Sequence, residues 1–96
     1  MRYLTVDGMF AGTGIRDTVE GGYLTPSVLG LSSDLALRLA AWLQAYEAAH
    51  HAGYRDADQV AQLDQEGMRI CVAVRQELPN TKVEYYSDAL MQRFLV

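Results

Sequence analysis

The sequence feature that most constrains the fold is the segment 58–78, DQVAQLDQEGMRICVAVRQEL. Its apolar residues recur with the 3.6-residue period of an amphipathic α-helix, which buries one face and exposes the other. Asp58 is predicted to be the N-cap of this helix, and Pro79, which follows Leu78 directly, would end it. The apolar stripe consists of Val60, Leu63, Ile70, Cys71, Val74 and Leu78, with Gly67 between them.

A second amphipathic helix is predicted between Ser32–Ser33, which would cap its first turn, and Gly53, which would cap its end. Two such helices joined by a short loop pack most economically as an antiparallel hairpin. Gly67 costs its helix about 1 kcal/mol relative to alanine, and we expect it to admit a bulky residue such as Trp42 or Tyr46. The apolar stripe of the preceding helix is Leu35, Leu39, Trp42, Leu43 and Tyr46.

Short strands are predicted at both ends of the chain. Residues 2–6 and 81–86 alternate between two faces, and in the second strand Val83 and Tyr85 lie on the face opposite to Lys82, Glu84 and Tyr86, one face being buried and the other wetter. Residues 15–19 are read as a further extended segment, and residues 89–96 as a helical turn or two or an extended end. The economical architecture is a single α+β domain spanning residues 1–96. Its helical hairpin packs on a small sheet formed by the N- and C-terminal strands.

Composition and charge exclude several classes of partner. The chain has 96 residues, half of them hydrophobic, and a formal net charge of −4. An acidic chain without lysine or arginine clusters lacks the electrostatic footprint for binding phosphates, so we expect neither a nucleic acid nor a membrane partner. The single cysteine fits a reducing compartment, and no leader segment or membrane span is apparent, so a cytoplasmic location is expected.

The residue types that carry out catalysis or bind metals form no motif. The glycines at 12 and 14 precede an extended segment and lack the GK[ST] signature of a phosphate-binding loop. Glu47 and the pair His50–His51 could reach one ion, but no second set of ligands occurs, so we expect no metal and no cofactor. Cys71 lies on the apolar stripe and is expected to be a small buried hydrophobe.

Two groups of polar residues are candidates for contacting a partner protein. The first is an acidic cluster, which the helix dipole explains only within the first helical turn. Its later members, Asp64 and Glu66, indicate either a docking surface for a basic partner or a solvated face. The second group sets tyrosines beside an acid, a composition that suits protein interfaces. The candidates are Asp56, Asp58, Asp64 and Glu66 in the first group, and Tyr85, Tyr86 and Asp88 in the second.

Several segments together resemble a known family. They are GGYLTPSVLGLSSDL with the following LAAWLQAYE, then LDQEGMRICVAVRQELP, then KVEYYSDALM. Over residues 21–91 the chain resembles small bacterial immunity proteins of polymorphic or contact-dependent growth-inhibition toxin systems. The resemblance implies a non-catalytic inhibitor that binds a cognate toxin domain, often an intracellular nuclease. It defines no inhibitory residues. An acidic inhibitor would associate faster with a basic toxin.

Two other functions compete with this interpretation. The chain could be a small homodimeric adaptor or regulatory subunit, with its exposed tyrosines or the final segment LMQRFLV forming a self-interface. It could also be a small enzyme that uses Asp17 or Glu20 near the glycine-rich loop. The enzyme hypothesis predicts a concave site with perturbed carboxylates, whereas the immunity hypothesis predicts a protein-binding surface.

Overall fold

The two central strands of the sheet come from opposite ends of the chain. In the computed structural model, which describes residues 1–96, β1 (Arg2–Asp7) pairs in parallel with β3 (Thr81–Ser87). The flanking strands β2 (Ile15–Asp17) and β4 (Gln92–Phe94) are antiparallel to their neighbours, which gives the order β2-β1-β3-β4. The predicted α+β architecture, with a sheet built from the N- and C-terminal strands, is therefore confirmed.

Three helices lie between β2 and β3: α1 (Pro26–Leu29), α2 (Ser33–His51) and α3 (Ala57–Glu77). Ser32 caps α2 as predicted, and Gly53 follows the helix in the left-handed conformation with φ of 80°. The predicted N-cap of α3 is two residues too late, because the Asp56 side chain accepts from the Gln59 N–H while Asp58 lies in the first turn. None of the helices is long and apolar enough to cross a membrane.

The hydrophobic core lies between the helical hairpin and one face of the sheet. Helix α3 packs directly on β1 and β3, and α2 packs on α3. The indole of Trp42 in α2 fixes this hairpin by donating a hydrogen bond to the Leu63 carbonyl at 2.8 Å. The two central strands contribute alternate residues to the core, as a half-buried sheet requires. The core includes Leu4, Val6, Val83 and Tyr85 from the sheet and Leu39, Trp42, Tyr46, Ile70, Cys71 and Val74 from the helices.

One detail of the helix packing differs from the sequence prediction, and the alternative left open for the end of the chain is resolved. Gly67 does admit a bulky side chain, but the ring belongs to Tyr85 of β3 and not to Trp42 or Tyr46 of α2. This follows because α3 lies on the sheet, so its glycine faces a strand as well as the other helix. The final segment contributes an extended edge strand, β4, because Phe94 pairs with Tyr85 and packs its ring against the tyrosine at 6.2 Å between centroids.

Candidate protein-binding site and a buried carboxylate network

Three loops converge at one end of the molecule. Parallel pairing places the carboxyl ends of β1 and β3 at the same edge of the sheet, where the β1–β2 and β3–β4 connections begin. The α2–α3 connection joins them, because the Phe10 ring stacks on His50 at 6.0 Å and His50 lies 5.6 Å from Tyr54. The backbone N–H of Ala89 donates to the Tyr46 hydroxyl at 3.1 Å, which attaches the third loop. We call this surface, formed by residues 8–14, 47–58 and 88–91, the loop end.

Large apolar side chains are exposed at the loop end. Met9 and Phe10 are 49% and 54% exposed, and Leu90 and Met91 are 55% and 79% exposed. They come from two different loops, and the Phe10 ring packs against both histidines at the end of α2. Exposed aromatic residues and methionines that lie together on a surface are typical of protein-binding sites.

Most of the net negative charge is also at the loop end. With neutral histidines, four carboxylates and one arginine give this region a formal charge of −3, against −4 for the whole chain. Asp7 and Arg16, which border the loop end, form an ion pair at 3.3 Å and add no net charge, and the Tyr23 hydroxyl also donates to Asp7 at 2.7 Å. The charged residues counted are Glu47, Asp56, Asp58 and Asp88, with Arg55.

Asp88 differs from the other carboxylates of this region. It is half-buried, and no donor of the chain forms a hydrogen bond or ion pair with it. Burial, followed by the nearby charge of Asp7, raises the pKa of Asp88, while His50 and Arg16 oppose that rise. Asp88 is therefore a half-buried carboxylate with free acceptor capacity at the loop end.

The backbone at the loop end holds strained residues. Non-glycine residues have positive φ at Ala11 (68°), Tyr54 (53°) and Met91 (53°), one in each of the three loops. A left-handed conformation costs a non-glycine residue about 1 kcal/mol or more, and such residues concentrate at functional sites.

A buried carboxylate network lies behind this surface. Asp64 of α3 is only 4% exposed, and its carboxylate accepts from the hydroxyls of Tyr46 at 2.9 Å, Tyr85 at 2.5 Å and Ser87 at 2.7 Å. Burial raises the pKa of Tyr46 to about 12. Burial and the hydrogen bond to Asp64 also raise the pKa of Tyr85. The network ties α2, α3 and β3 together, so its role is to hold these elements in register.

The predicted exposure of Asp64 and Tyr85 is therefore wrong. Both side chains lie in the core, where they cannot touch a partner protein directly. A sequence signal for Asp64 exists: it is four residues after Val60 and three before Gly67, which places it on the apolar stripe. Its charge is tolerated inside because hydroxyl-bearing residues, and not purely apolar ones, line the facing positions.

Comparison with protein-family models identifies the group to which this chain is related. The model described as Serratia CdiI immunity protein-like matches residues 11–88. The chain belongs to this family. The predicted resemblance to immunity proteins of contact-dependent growth-inhibition systems is thereby confirmed. Comparisons with curated proteins and with solved structures gave no match. The matched residues of this CdiI-like chain include the whole helical hairpin, β3 and Asp88 at the loop end.

The remaining predicted contact residues of the CdiI-like chain lie in different places. Asp56 and Asp58 are exposed at the loop end, at the start of α3. Glu66 lies away from it and bridges the helices, accepting from Arg38 Nε at 2.8 Å and Arg69 Nη1 at 3.4 Å. The hydrogen bond from Arg38 lowers the pKa of Glu66.

Tyr86, the last of the predicted contact residues, is half-buried. It occupies the sheet face opposite to that of Tyr85, because successive residues of a strand point to opposite faces. Its partner across the ladder is Arg93 of β4. Tyr86 is therefore separated from the acidic residues at the start of α3 by the thickness of the sheet.

The carboxylates of the enzyme hypothesis serve local structure in this CdiI-like protein. Asp17 accepts from the backbone N–H groups of Val19 and Glu20 at 2.9 and 2.8 Å, and these bonds lower its pKa. A carboxyl group that acts as a general acid at neutral pH requires a raised pKa, which is the opposite direction. Glu20 is exposed in the following turn. His51 lies 3.5 Å from Glu47, and His50 stacks on Phe10.

Proposed function

We propose that this chain is a non-catalytic immunity protein that binds a cognate toxin domain and neutralises it. The observation that carries the proposal is the match to the immunity-protein family over residues 11–88. A toxin partner is part of what that family description implies. The physical features of the chain support it, because an exposed apolar and acidic surface exists where three loops converge.

Binding without catalysis is also supported by the use of the carboxylates. Asp7, Asp17 and Asp64 are each held by hydrogen-bond donors within the fold, and Asp64 is enclosed in the core. The sole thiol, that of Cys71, is buried, and burial raises its pKa to about 12. A thiol in this state is a poor nucleophile at neutral pH.

The toxin that fits this chain is a basic protein, and the site of neutralisation is the cytoplasm. A net charge of −4 favours fast association with a positively charged surface. The absence of any possible internal disulfide, with one cysteine in the chain, fits a reducing compartment.

Two measurements test the proposal. The toxin domain encoded immediately upstream of this chain's gene should bind the purified protein at nanomolar concentration in calorimetry, and co-expression should restore growth of cells that produce the toxin. Absence of binding at micromolar concentration would overturn the proposal. An unrelated acidic protein of similar size is the control for non-specific charge attraction.

The alternative function is a homodimeric adaptor, and the exposure of apolar residues near the end of the chain favours it. Leu90, Met91 and Leu95 are 55%, 79% and 94% exposed. Sedimentation equilibrium distinguishes the two, because an adaptor that functions as a dimer should remain dimeric at micromolar concentration. Phe94 is unsuited as a test position, since its ring packs on Tyr85 within the chain.

A further inference from the structure

We propose that the loop end is the surface through which this immunity protein contacts its toxin, and that an arginine or lysine of the toxin binds Asp88 there. This assignment rests on the proposed function. It names the surface, the chemistry of the partner and one anchoring contact, none of which follows from membership of the family.

The apolar part of the surface provides the binding area. Met9 and Phe10 project from the β1–β2 loop and Leu90 and Met91 from the β3–β4 turn, all of them about half exposed or more. The Phe10 ring is supported from below by His50 and His51 at centroid distances of 6.0 and 5.6 Å. A supported aromatic ring loses little side-chain entropy on binding, which suits it to be an anchor of an interface.

The acidic part of the surface determines the sign of the charge that its partner must carry. The loop end carries a formal charge of −3, so seven arginines or lysines and eight carboxylates are left for the rest of the chain. Asp58 is exposed in the first turn of α3, and Asp56 caps the same helix. A surface with this concentration of negative charge steers a positively charged protein toward it and repels a negatively charged one.

Asp88 supplies a specific contact within this field. Its half-buried carboxylate lacks an internal donor, and the rings of His50 and Tyr54 pack against each other at the same end of the molecule, 5.6 Å apart between centroids. A guanidinium or ammonium group fits such a site, because it can pair with the carboxylate and stack on the neighbouring aromatic rings. The ion pair would be partly desolvated and therefore stronger than one at a fully exposed position.

A second copy of the chain is a poorer occupant of this surface. A two-fold symmetric dimer brings the same patch of both subunits together. In this protein, such a dimer would place two regions of charge −3 face to face and leave both Asp88 carboxylates without a cation. A partner with the opposite charge avoids this repulsion.

The test uses matched variants at the two ends of the helical hairpin. Asp58 and Asp34 are both exposed acids in the first turn of a helix, in α3 and α2 respectively, so replacement by lysine disturbs the helix dipole equally. Only Asp58 is at the loop end; Asp34 is about 24 Å from His50 along α2. For the apolar part, Phe10→Ala is matched by Leu37→Ala, since Leu37 is 70% exposed on α2.

The probe is the upstream-encoded toxin domain, measured by surface plasmon resonance at two salt concentrations. We expect Asp58→Lys to lower the association rate constant roughly tenfold at low salt, and Asp34→Lys less than about twofold. Asp88→Asn and Phe10→Ala should each raise Kd about tenfold or more, and Leu37→Ala should leave it within about twofold. Circular dichroism of each variant verifies that the fold is intact.

Four outcomes would overturn the assignment. Equal effects of Asp58→Lys and Asp34→Lys would mean that only the total charge matters. If Asp88→Asn and Phe10→Ala bind the toxin as tightly as the wild-type protein does, the contact surface lies elsewhere, although the proposed function stands. A dimer that Phe10→Ala converts to a monomer would assign the surface to a second copy. If the wild-type protein itself does not bind the toxin, the proposed function fails and the assignment fails with it.

Discussion

Gly67 of α3 lies against the ring of Tyr85 of β3, and a β-carbon on the glycine would be 2.6 Å from Tyr85 Cζ and 2.9 Å from its hydroxyl oxygen. The ring cannot easily move away, because it is fully buried and its hydroxyl is bound to Asp64. The absence of a side chain at position 67 thus sets how closely the helix approaches the sheet.

Replacement of Gly67 by alanine is expected to destabilise the protein by about 1–3 kcal/mol, although alanine is the better helix former. The reason is steric overlap with Tyr85, which exceeds the gain of about 1 kcal/mol in helix propensity. Urea unfolding monitored by circular dichroism measures the change. The control is Ala61→Gly at an exposed position of the same helix, where the glycine should be the less stable residue. A higher midpoint for Gly67→Ala would contradict the close contact.

Removal of the Asp64 carboxylate is expected to cost about 3 kcal/mol or more, because three buried hydroxyl donors lose their acceptor. Asp64→Ala should therefore lower the thermal midpoint strongly, and a charge reversal to lysine should prevent folding. Glu66→Ala provides the comparison two residues away, with an expected loss below about 1 kcal/mol because this ion pair is partly exposed. Similar midpoints for the two alanine variants would show that the network contributes little.

The buried tyrosines should resist ionisation as long as the protein is folded. The pKa of Tyr46 is raised to about 12, and the pKa of Tyr85 is raised as well. Because the folded state holds these protons more tightly than the unfolded state, the resulting stability is fully present below about pH 10 and is lost as the pH rises through 12. The near-ultraviolet absorbance of tyrosinate, followed with circular dichroism, should show some of the six tyrosines ionising only on unfolding. Complete ionisation with native circular dichroism would refute this.

The ion pair between Glu66 and Arg38 should make a small contribution that disappears in acid. The hydrogen bond from Arg38 lowers the pKa of Glu66 below its usual 4.5. The contribution is therefore present above about pH 4.5 and is lost as the pH falls through the lowered value. Its size is less than about 1 kcal/mol, because both side chains are about one third exposed or more. Comparison of Arg38→Ala with the wild type by urea unfolding at neutral and acidic pH checks this, the difference being expected only at neutral pH.

The elements of the fold were predictable because they depend on local patterns. Helix α2 follows from the Ser32 cap, the apolar period and Gly53, and the strands follow from alternation at both ends of the chain. The partner of Gly67 was not predictable in the same way. Whether that glycine meets a helix or a strand depends on how α3 lies on the sheet, and no local pattern specifies that orientation.

The candidate surface was predictable only in part. Asp56, Asp58 and Asp88 are at the loop end, whereas Asp64 and Tyr85 are interior and Glu66 is bound between two arginines. Charge alone could not separate these groups, because a carboxylate in the core is identified by its donors, and those come from distant elements. The exposed apolar residues, among them Phe10 and Met91, were missed because a large hydrophobic residue in a loop has no periodicity to show that it is exposed.

The parallel pairing of Arg2 with Thr81 has a consequence for synthesis of the protein in the cell. The strand β1 is translated before the helical hairpin, but its central neighbour β3 becomes available only after both helices have been translated. A nascent chain can therefore form the helical hairpin yet has no complete sheet, and it lacks the turn that carries Asp88. If the loop end is the toxin-binding surface, translation must proceed beyond this turn before a new molecule can protect the cell. Protection then depends on the concentration of completed, folded protein and not on chains that are still being translated.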